Sequence, residues 1–377
     1  MTAAPSDSRG EPVTARAPEP YIPDTGMTVV RKVAVPPGVP LVQLSLNESH
    51  LGASPRTVAA AKARAETLRR YPDPASTALR EAIGRRFGLD PDGLVCGNGS
   101  EELLDVIGRA YARPGDEILF TAHGFIQFPI VALRVGATPA RAPERDCVAD
   151  VDALLAHVTP RTKIVFLANP NNPTSTTLGV EALRHLRDTL PGRVVLVLDS
   201  AYAEYATQPD YTAGHELVAG TENVVVTRTF SKAYGLAALR VGWAHCPPSM
   251  ARVLNRLRGI GNVNALAQEA AIAALEEPDW IERVRDEVAR MRDDLTREYV
   301  ALGLEPLPSQ TNFITVRFPP AVGRAAADAH AFLAARGVIV RRVDDHGLGD
   351  FLRITIGTGE ENRRVLDGLR AFLGRNP

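Results

Sequence analysis

The chain is 377 residues long, enough for about two and a half domains of ordinary size and for a large buried core. Its 43 lysines and arginines balance 44 aspartates and glutamates, so the formal net charge is -1 and no overall field favours nucleic acid or an anionic membrane. Three cysteines, Cys96, Cys147 and Cys246, follow no disulfide or metal-site spacing, which excludes a disulfide-rich secreted domain and points to a reducing compartment.

The N-terminal segment predicts a loose tail over residues 1–26. Five prolines fall within its first 23 residues, and it contains no apolar core of the kind that signal peptides carry. No later stretch approaches about 18 uninterrupted apolar residues, the length that a membrane-spanning helix needs. We therefore expect a cytoplasmic protein that binds neither nucleic acid nor membrane.

An alternation of strand and helix patterns predicts a large domain over residues 66–277. Short apolar runs at 117–121, 163–168, 194–199, 223–228 and 241–245 are typical of strands buried on both faces, as in a parallel sheet. Segments with helical spacing, such as 101–112 and 180–189, lie between them. The predicted fold class is α/β, a mainly parallel sheet flanked by helices, and a ligand should bind at the carboxyl ends of its strands.

The pattern changes near residue 278. A long charged helix over 279–302 is followed by a strand at 312–317, a helix at 324–336 and strands at 338–341 and 352–356. This succession predicts a smaller α+β domain over 278–377. The segment 27–65 precedes the alternating region and contains its own helix, so we expect it to pack with this small domain.

One of the four lysines lies in a distinctive context. Lys232 follows the apolar run 223–227 by a few residues, stands next to Ser231 and precedes Arg240 by eight positions. Such a lysine can offer its amine to a carbonyl cofactor whose phosphate Ser231 and Arg240 would hold. On this segment alone, a solvated loop lysine beside a structural arginine is an equally good interpretation.

Two other strand ends carry polar side chains. Asp199 ends the apolar run 194–199, and Tyr202 follows three residues later. A carboxylate there can pair with a cationic ring nitrogen, or it can cap the next helix. Asn172 follows the run 163–168 and can donate to a ring hydroxylate, although on this segment alone an ordinary Asn-Pro turn is the favoured interpretation.

A glycine-rich turn at residues 97–99 leads from a short strand into a helix. The free amides at the start of that helix, those of Ser100 and Glu101, suit a phosphate. Ser100 is also a good N-cap, which would be a structural role. No GK[ST] follows, so the turn is not a nucleotide-binding Walker loop.

The motifs, in chain order, are SLNES (45–49), YPDP (71–74), GNGSEELLD (97–105), NPNNPT (169–174), DSAY (199–202), TFSKAYGLAALRVG (229–242), TNFI (311–314) and LRITIGTGEEN (352–362). Their residues, order and spacing resemble the fold type I pyridoxal-phosphate aminotransferases, and within them the histidinol-phosphate aminotransferase branch. The resemblance runs from about residue 44 to residue 370. It implies a large cofactor-binding domain and a smaller α+β domain.

The resemblance also implies a site for pyridoxal 5'-phosphate. Lys232 would carry the cofactor as a Schiff base and move the reacting proton, and Asp199 would pair with the ring nitrogen. Asn172 and Tyr202 would contact the ring oxygen, so that Lys232, Asp199 and Tyr202 are the expected catalytic residues. The phosphate would be surrounded by Ser100, Glu101, Thr229, Ser231 and Arg240, with Tyr71 supplied by the other subunit of a homodimer.

Three further residues are implied to face the ring or the substrate. Phe125 stands where the family usually has a tyrosine that stacks on the ring, and a phenyl group keeps the stacking but lacks the hydroxyl. Arg353 would grip the substrate carboxylate through two parallel hydrogen bonds, which lysine cannot copy, with Asn172 beside it. Arg341 matches an arginine that the family places by the substrate tail.

The stretch 32–38 lacks the tyrosine that this branch usually carries near the substrate phosphate. We therefore expect an altered pocket, and transamination between a 2-oxo acid and an L-amino acid with a polar, imidazole or guanidino side chain. The alternatives are a true histidinol-phosphate aminotransferase of histidine biosynthesis, or an oxidase or deaminase, a lyase or a decarboxylase on the same scaffold, because the cofactor stabilises a Cα carbanion whichever bond breaks. A non-catalytic regulator is disfavoured, since Lys232, Asp199 and Arg353 are all present.

Overall fold

The computed structural model describes residues 37–375, so the predicted tail over 1–26 lies outside the described residues. The helices in this range are α1 (Pro55–Ala65), α2 (Thr77–Phe87), α3 (Ser100–Tyr111), α4 (Gln127–Arg134), α5 (Val151–Ala156), α6 (Val180–Thr189), α7 (Pro248–Leu257), α8 (Ala265–Leu275), α9 (Pro278–Ala301), α10 (Ala326–Ala334) and α11 (Gly359–Leu373). The strands are β1 (Val42–Gln43), β2 (Leu94–Gly97), β3 (Glu117–Thr121), β4 (Thr138–Ala142), β5 (Glu144–Arg145), β6 (Val148–Ala149), β7 (Thr162–Ala168), β8 (Val195–Asp199), β9 (Val224–Thr229), β10 (Gly242–His245), β11 (Glu305–Pro306), β12 (Phe313–Arg317), β13 (Val338–Ile339), β14 (Arg341–Val343) and β15 (Leu348–Thr355).

A seven-stranded sheet forms the centre of the large domain, in the order β2-β10-β9-β8-β7-β3-β4. The five apolar runs predicted as strands correspond to β3, β7, β8, β9 and β10, which confirms them within a residue or so. One expectation needs correction, because β10 runs antiparallel to both of its neighbours. The connection from β9 to β10, residues 230–241, contains a short 3-10 turn at Ala237–Leu239 and no crossover helix of the kind that usually joins parallel strands.

Both faces of this sheet are covered by helices, as the unbroken apolar runs indicate. In β7, Ile164 and Phe166 belong to one apolar cluster and the alternate residues Val165 and Leu167 to another. The ring of Phe166 stacks on Phe128 of α4, with 4.9 Å between the ring centres. Because side chains of a strand alternate between faces, a strand buried on both sides must be apolar at nearly every position.

The C-terminal part is built on an antiparallel sheet in the order β11-β12-β15-β14, packed against α9, α10 and α11. The segment before α1 joins this part, since Val42 of β1 pairs in parallel with Val338 of β13 and Val42 belongs to the same apolar cluster. Helix α1 itself packs against α8. The exact domain limits, 27–65, 66–277 and 278–377, stay a prediction.

No helix within residues 37–375 is both long and apolar enough to cross a membrane.

Candidate active site

A cavity of about 210 Å³ opens at the carboxyl ends of β7, β8 and β9, where the predicted ligand site lies. It is lined by Leu46, Asn47, Ser100, Glu101, Phe125, Ala168, Pro170, Asn172, Asp199, Ala201, Tyr202, Thr229, Ser231, Lys232, Arg240 and Arg353. The register of the sheet explains in part why residues of different strands meet at this cavity. Ala168, Asp199 and Thr227 are direct neighbours across β7, β8 and β9. Of the residues predicted for the site, all but Tyr71 and Arg341 line this cavity.

Asp199 is the last residue of β8 and is almost fully buried. Its Oδ1 accepts a hydrogen bond from Thr227 Oγ1 at 3.0 Å. The pKa of the carboxyl is raised to about 6, chiefly by burial and to a smaller extent by the charge of Glu101, which together outweigh the lowering effects of the Thr227 hydrogen bond and of Lys232. A buried carboxylate of this kind is poised to pair with a cationic group in the cavity.

Lys232 lies in the loop after β9, and its Nζ donates to the backbone oxygen of Leu46 at 3.3 Å. The same nitrogen lies 5.6 Å from the centre of the Tyr202 ring. The Tyr202 hydroxyl accepts a hydrogen bond of 2.9 Å from Asn47 Nδ2. Lys232 is half-buried, and its amine lies beside a phenol in the cavity that Asp199 also lines, which suits covalent capture of an aldehyde.

The glycine turn before α3 forms a cradle for an anion. Gly99, not Ser100, occupies the N-cap position, with φ +88° and no side-chain cap, so the amides of the first turn are left for a ligand. A Cβ on Gly99 would come within 2.7 Å of the Arg240 guanidinium, and one on Gly242 within 2.6 Å of the Ser100 amide nitrogen. The N-cap role considered for Ser100 is therefore wrong.

Arg240 lies beside this cradle, as the sequence predicts. Its Nη1 donates to Ser231 Oγ at 3.1 Å, and its Nη2 lies 3.6 Å from the Glu101 carboxylate. The amide of Ser231 donates to Thr229 Oγ1 at 3.1 Å. Hydroxyl, amide and guanidinium donors thus converge on one end of the cavity, and this combination matches a phosphate monoester.

Arg353, in β15, also lines the cavity and is buried. It donates to Asn172 Oδ1 at 2.6 Å and to the backbone oxygen of Ser45 at 2.5 Å, and its Nε has no partner among the described residues. Burial lowers the pKa of the guanidinium to about 10. A buried cation held only by neutral oxygens is suited to bind an anionic group of a substrate.

Arg341 and Tyr71 lie outside the cavity. Arg341 of β14 pairs directly with Arg353 of β15, but its guanidinium forms an ion pair with Asp345. Tyr71 is 98% exposed and lies on another part of the surface beside Pro72 and Gly261. Tyr71 therefore has no contact with the cavity of its own chain.

Phe125 contributes one wall of the cavity, and its ring packs edge-on against Phe128 with 5.8 Å between centres. The turn before it is tied to the small domain through two histidines. His123 Nδ1 donates to the backbone oxygen of His346 at 2.6 Å, and His346 Nδ1 donates to that of Gly124 at 3.1 Å. These contacts link the wall carrying Phe125 to the turn between β14 and β15.

Several residues of the site were not predicted. Asn47 lines the cavity with φ +57°, and its side chain bridges Tyr202 and Thr355. Its presence in the SLNES motif was a signal, but nothing in the sequence reveals the left-handed backbone that aims it. Thr227, which donates to Asp199, was not predicted either. It is the direct neighbour of Asp199 in the adjacent strand β9, and a threonine in that otherwise apolar part of the strand was a signal that could have indicated it.

The residues present fit pyridoxal 5'-phosphate. The cradle before α3 would be filled by a Cβ at Gly99, which agrees with a backbone built for close approach of a ligand. Asp199 lines the same cavity as a buried acid, and Lys232 supplies the amine. Donors for a phosphate, an acid for a ring nitrogen and an amine for an aldehyde therefore share one cavity.

Comparison with known proteins agrees with this geometry. The family model for aminotransferase class I and II matches residues 39–369. A histidinol-phosphate aminotransferase of Paramagnetospirillum magneticum is 49% identical over 96% of this chain and 100% of its own, and one of Rhodopseudomonas palustris is 48% identical over 90% and 93%.

A solved structure shares the fold. The histidinol-phosphate aminotransferase from Sinorhizobium meliloti, in complex with pyridoxal-5'-phosphate, superimposes with a TM-score of 0.83 at 30% identity, over 88% of this chain and 90% of that one. An aspartate aminotransferase of Thermus thermophilus, at 24% identity and a TM-score of 0.80, shares the fold over 90% of this chain. The chain therefore belongs to the class I and II aminotransferase family.

Proposed function

We propose that this aminotransferase is a histidinol-phosphate aminotransferase, which transfers the amino group between histidinol phosphate and a 2-oxo acid. The observation that carries the proposal is the match to relatives bearing that name, at 48 and 49% identity over 90 to 96% of the chain. These relatives favour a histidinol-phosphate aminotransferase of histidine biosynthesis over an enzyme with an altered substrate pocket, which the missing tyrosine suggests. Most of the stretch behind that expectation, 32–36, lies outside the described residues.

The two adjacent arginines support this substrate. Histidinol phosphate carries a phosphate ester where an amino acid has its α-carboxylate, so the phosphate would lie near Arg353. Arg341 is the direct cross-strand neighbour of Arg353, and their side chains leave the same face of the sheet. Two guanidinium groups suit the charge and size of a phosphate dianion better than those of a single carboxylate.

Pyridoxal 5'-phosphate is the cofactor of this enzyme, as in the Sinorhizobium protein of the same family. When bound, it supplies an electron sink for the carbanion that forms at the substrate Cα. In our proposal Lys232 would hold it covalently, and the Lys232 Nζ would move the proton at the substrate Cα. Asp199 would keep the ring nitrogen protonated, and Asn172 and Tyr202 would donate to the ring oxygen.

The remaining site residues would bind and orient. The cofactor phosphate would be held by Ser100, Glu101, Thr229, Ser231 and Arg240, with the Glu101 contribution coming from its amide. Phe125 would stack on the ring and exclude water from that face. Tyr71 would reach the phosphate of the neighbouring subunit, and we therefore include a homodimer in the proposal; the full exposure of Tyr71 supports it.

Steady-state kinetics with a 2-oxo acid test the proposal. Histidinol phosphate is compared with histidine, arginine, phenylalanine and tyrosine. An additional charge-assisted hydrogen bond to the substrate phosphate is worth about 1.5 to 3 kcal/mol. The value of kcat/KM for histidinol phosphate should therefore exceed that for every amino acid by at least about tenfold. An equal or higher value for histidine or arginine would restore the altered pocket. Release of ammonia or carbon dioxide in place of the aminated 2-oxo acid would favour a deaminase or a decarboxylase.

A further inference from the structure

The pair Arg341 and Arg353 has an asymmetry that the proposed function does not explain. The two residues are directly opposite each other in the β14–β15 ladder, where like charges repel. Arg353 is buried, and its described partners are the neutral oxygens of Asn172 and Ser45. Arg341 is half-buried and has a carboxylate partner, Asp345. One arginine is thus ready for an anion, whereas the other is already neutralised.

Asp345 is held in place by the fold. It lies in the 3-10 turn Asp344–His346 between β14 and β15, next to the buried His346. The backbone oxygen and the Nδ1 of His346 are bonded to His123 and Gly124, in the turn that leads to Phe125. The backbone of Asp345 is therefore anchored between the two domains, so its carboxylate stays within reach of Arg341.

The ion pair itself can open at low cost. The Arg341 and Asp345 side chains are 35% and 40% exposed, so either one can turn into water without burying a charge. The pairing also accounts for the position of Arg341 outside the cavity, although its strand partner Arg353 lines it. Asp345 in addition acts on Arg353, since its charge raises the pKa of that guanidinium against the effect of burial.

Building on the proposed function, we propose that Asp345 is a specificity-determining residue, a built-in counter-ion that the substrate phosphate displaces from Arg341. A phosphate monoester carries about 1.5 to 2 negative charges near neutral pH, so it can occupy Arg353 and still compete for Arg341. A substrate carboxylate carries a single charge, which Arg353 alone neutralises. If a substrate carboxylate displaced the Asp345 carboxylate from Arg341, one single charge would replace another, and no charge interaction would be gained. Asp345 thereby weakens the binding of phosphate substrates and leaves the binding of carboxylate substrates unchanged, so it sets the ratio between the two.

The test compares two neighbouring substitutions in the holoenzyme. Asp345→Asn removes the counter-ion of Arg341, and Asp344→Asn, the matched control, removes the same charge from the same turn but from the Arg342 pair. Asp345→Asn should lower KM for histidinol phosphate by about three- to tenfold, the value of one exposed or half-exposed ion pair. Asp344→Asn should change it by less than about twofold. Histidinol, which lacks the phosphate, should bind equally well to all three proteins.

Other results would overturn the inference. An unchanged or raised KM for histidinol phosphate in Asp345→Asn would show that Asp345 positions Arg341 for the substrate instead of masking it. Asp345→Ser serves as a second variant, with the same expectation. If wild-type enzyme does not prefer histidinol phosphate, the proposed function fails while the inference stays testable. Inorganic phosphate must then still bind the Asp345→Asn holoenzyme more tightly than the wild type by calorimetry, and equal affinities would refute it.

Discussion

At the scale of single residues, Asp199 shows how the site depends on its ligand. The carboxyl is buried at the end of β8, and its pKa is raised from 3.8 to about 6. A shift of this size corresponds to about 3 kcal/mol of unfavourable burial of the charged form. A cationic ring nitrogen next to the carboxylate would offset this cost. In our proposal, the residue that destabilises the apoprotein is thus also the residue that would favour the protonated cofactor.

Asp199→Asn tests this relation in the apoprotein. The folded wild type binds its proton more tightly than the unfolded chain, so its penalty is fully present above about pH 6 and disappears as the pH falls toward 3.8. The variant lacks this penalty. We expect apo Asp199→Asn to be more stable than wild type by up to about 3 kcal/mol near pH 8, and the difference to vanish near pH 4, in chemical denaturation experiments. A pH-independent difference would show that the pKa of Asp199 is not raised in the folded apoprotein.

The same substitution should be severely harmful to the holoenzyme. Without the carboxylate the ring nitrogen loses its proton, and kcat should fall by on the order of a thousandfold, about 4 kcal/mol. The cofactor should stay bound, because the phosphate cradle is unchanged, and its absorption band reports this directly. Turnover near the wild-type rate would reduce Asp199 to a structural cap.

Residues of the site could be predicted where chemistry and strand position coincide. Asp199 and Lys232 each follow an apolar run, so the sequence alone places them at one edge of a parallel sheet. Asn47 and Asp345 could not be predicted in the same way. The first depends on a left-handed backbone angle and the second on an ion pair across a turn, and neither leaves a periodic pattern.

At the scale of elements, α3 and the turn before it form the proposed anion site. The helix begins with Gly99 at its N-cap and acidic residues Glu101 and Glu102 in its first turn. A side-chain cap would satisfy the first amides from within the chain, and a glycine leaves them open. The combination of uncapped amides and Arg240 beside them is what distinguishes this turn from an ordinary helix start.

Gly99→Ala should separate conformational strain from ligand binding. Gly99 and Gly115 have nearly the same backbone angle, φ +88° and +91°, but a Cβ would meet Arg240 at 2.7 Å in the first case and nothing within 4 Å in the second. Both alanine variants should lose about 1 kcal/mol of stability from the positive φ. Only Gly99→Ala should weaken cofactor binding, by about tenfold or more, in equilibrium titration of the apoenzyme. Equal affinities in the two variants would contradict the cradle.

The strand predictions succeeded because burial on both faces is visible in sequence. The apolar runs of β7 and β8 show no polar face, and this favours a central position in a helix-covered sheet. The direction of β10 was not predictable from its composition, because Gly242–His245 is a mostly buried run like the parallel strands β7 and β8. Direction depends on pairing between distant segments and on the connection from β9, which contains no crossover helix, and local patterns encode neither.

At the scale of the whole molecule, the site lies between the sheet of the large domain and the small domain. Asp199 and Lys232 come from the first, and Arg353 comes from the second. The segment around Leu46 crosses between them and accepts the Lys232 hydrogen bond. One surface remains unexplained within a single chain, since Tyr71 and Ile260 are 98% and 95% exposed. Large apolar groups at such exposure favour contact with another copy.

Subunit complementation tests the proposed homodimer. Lys232→Ala removes the amine from one chain, and Tyr71→Ala removes the phenol that would serve the neighbouring site. Each variant alone should have little activity. After denaturation and refolding together, heterodimers should contain one site with both residues intact, so activity should reappear. Activity that stays at the level of the separate variants, with exchange verified by mass, would show that Tyr71 does not serve a shared site.

The central claim is tested most directly by a half-reaction without a 2-oxo acid. Histidinol phosphate is mixed with holoenzyme, and the absorption spectrum of the bound cofactor is followed by stopped flow. We predict that histidinol phosphate converts the cofactor from its aldehyde form to its amine form faster than histidine or arginine does at equal concentration, and that Lys232→Ala shows no conversion. Conversion by histidine or arginine but not by histidinol phosphate, or conversion that persists in Lys232→Ala, would contradict the account.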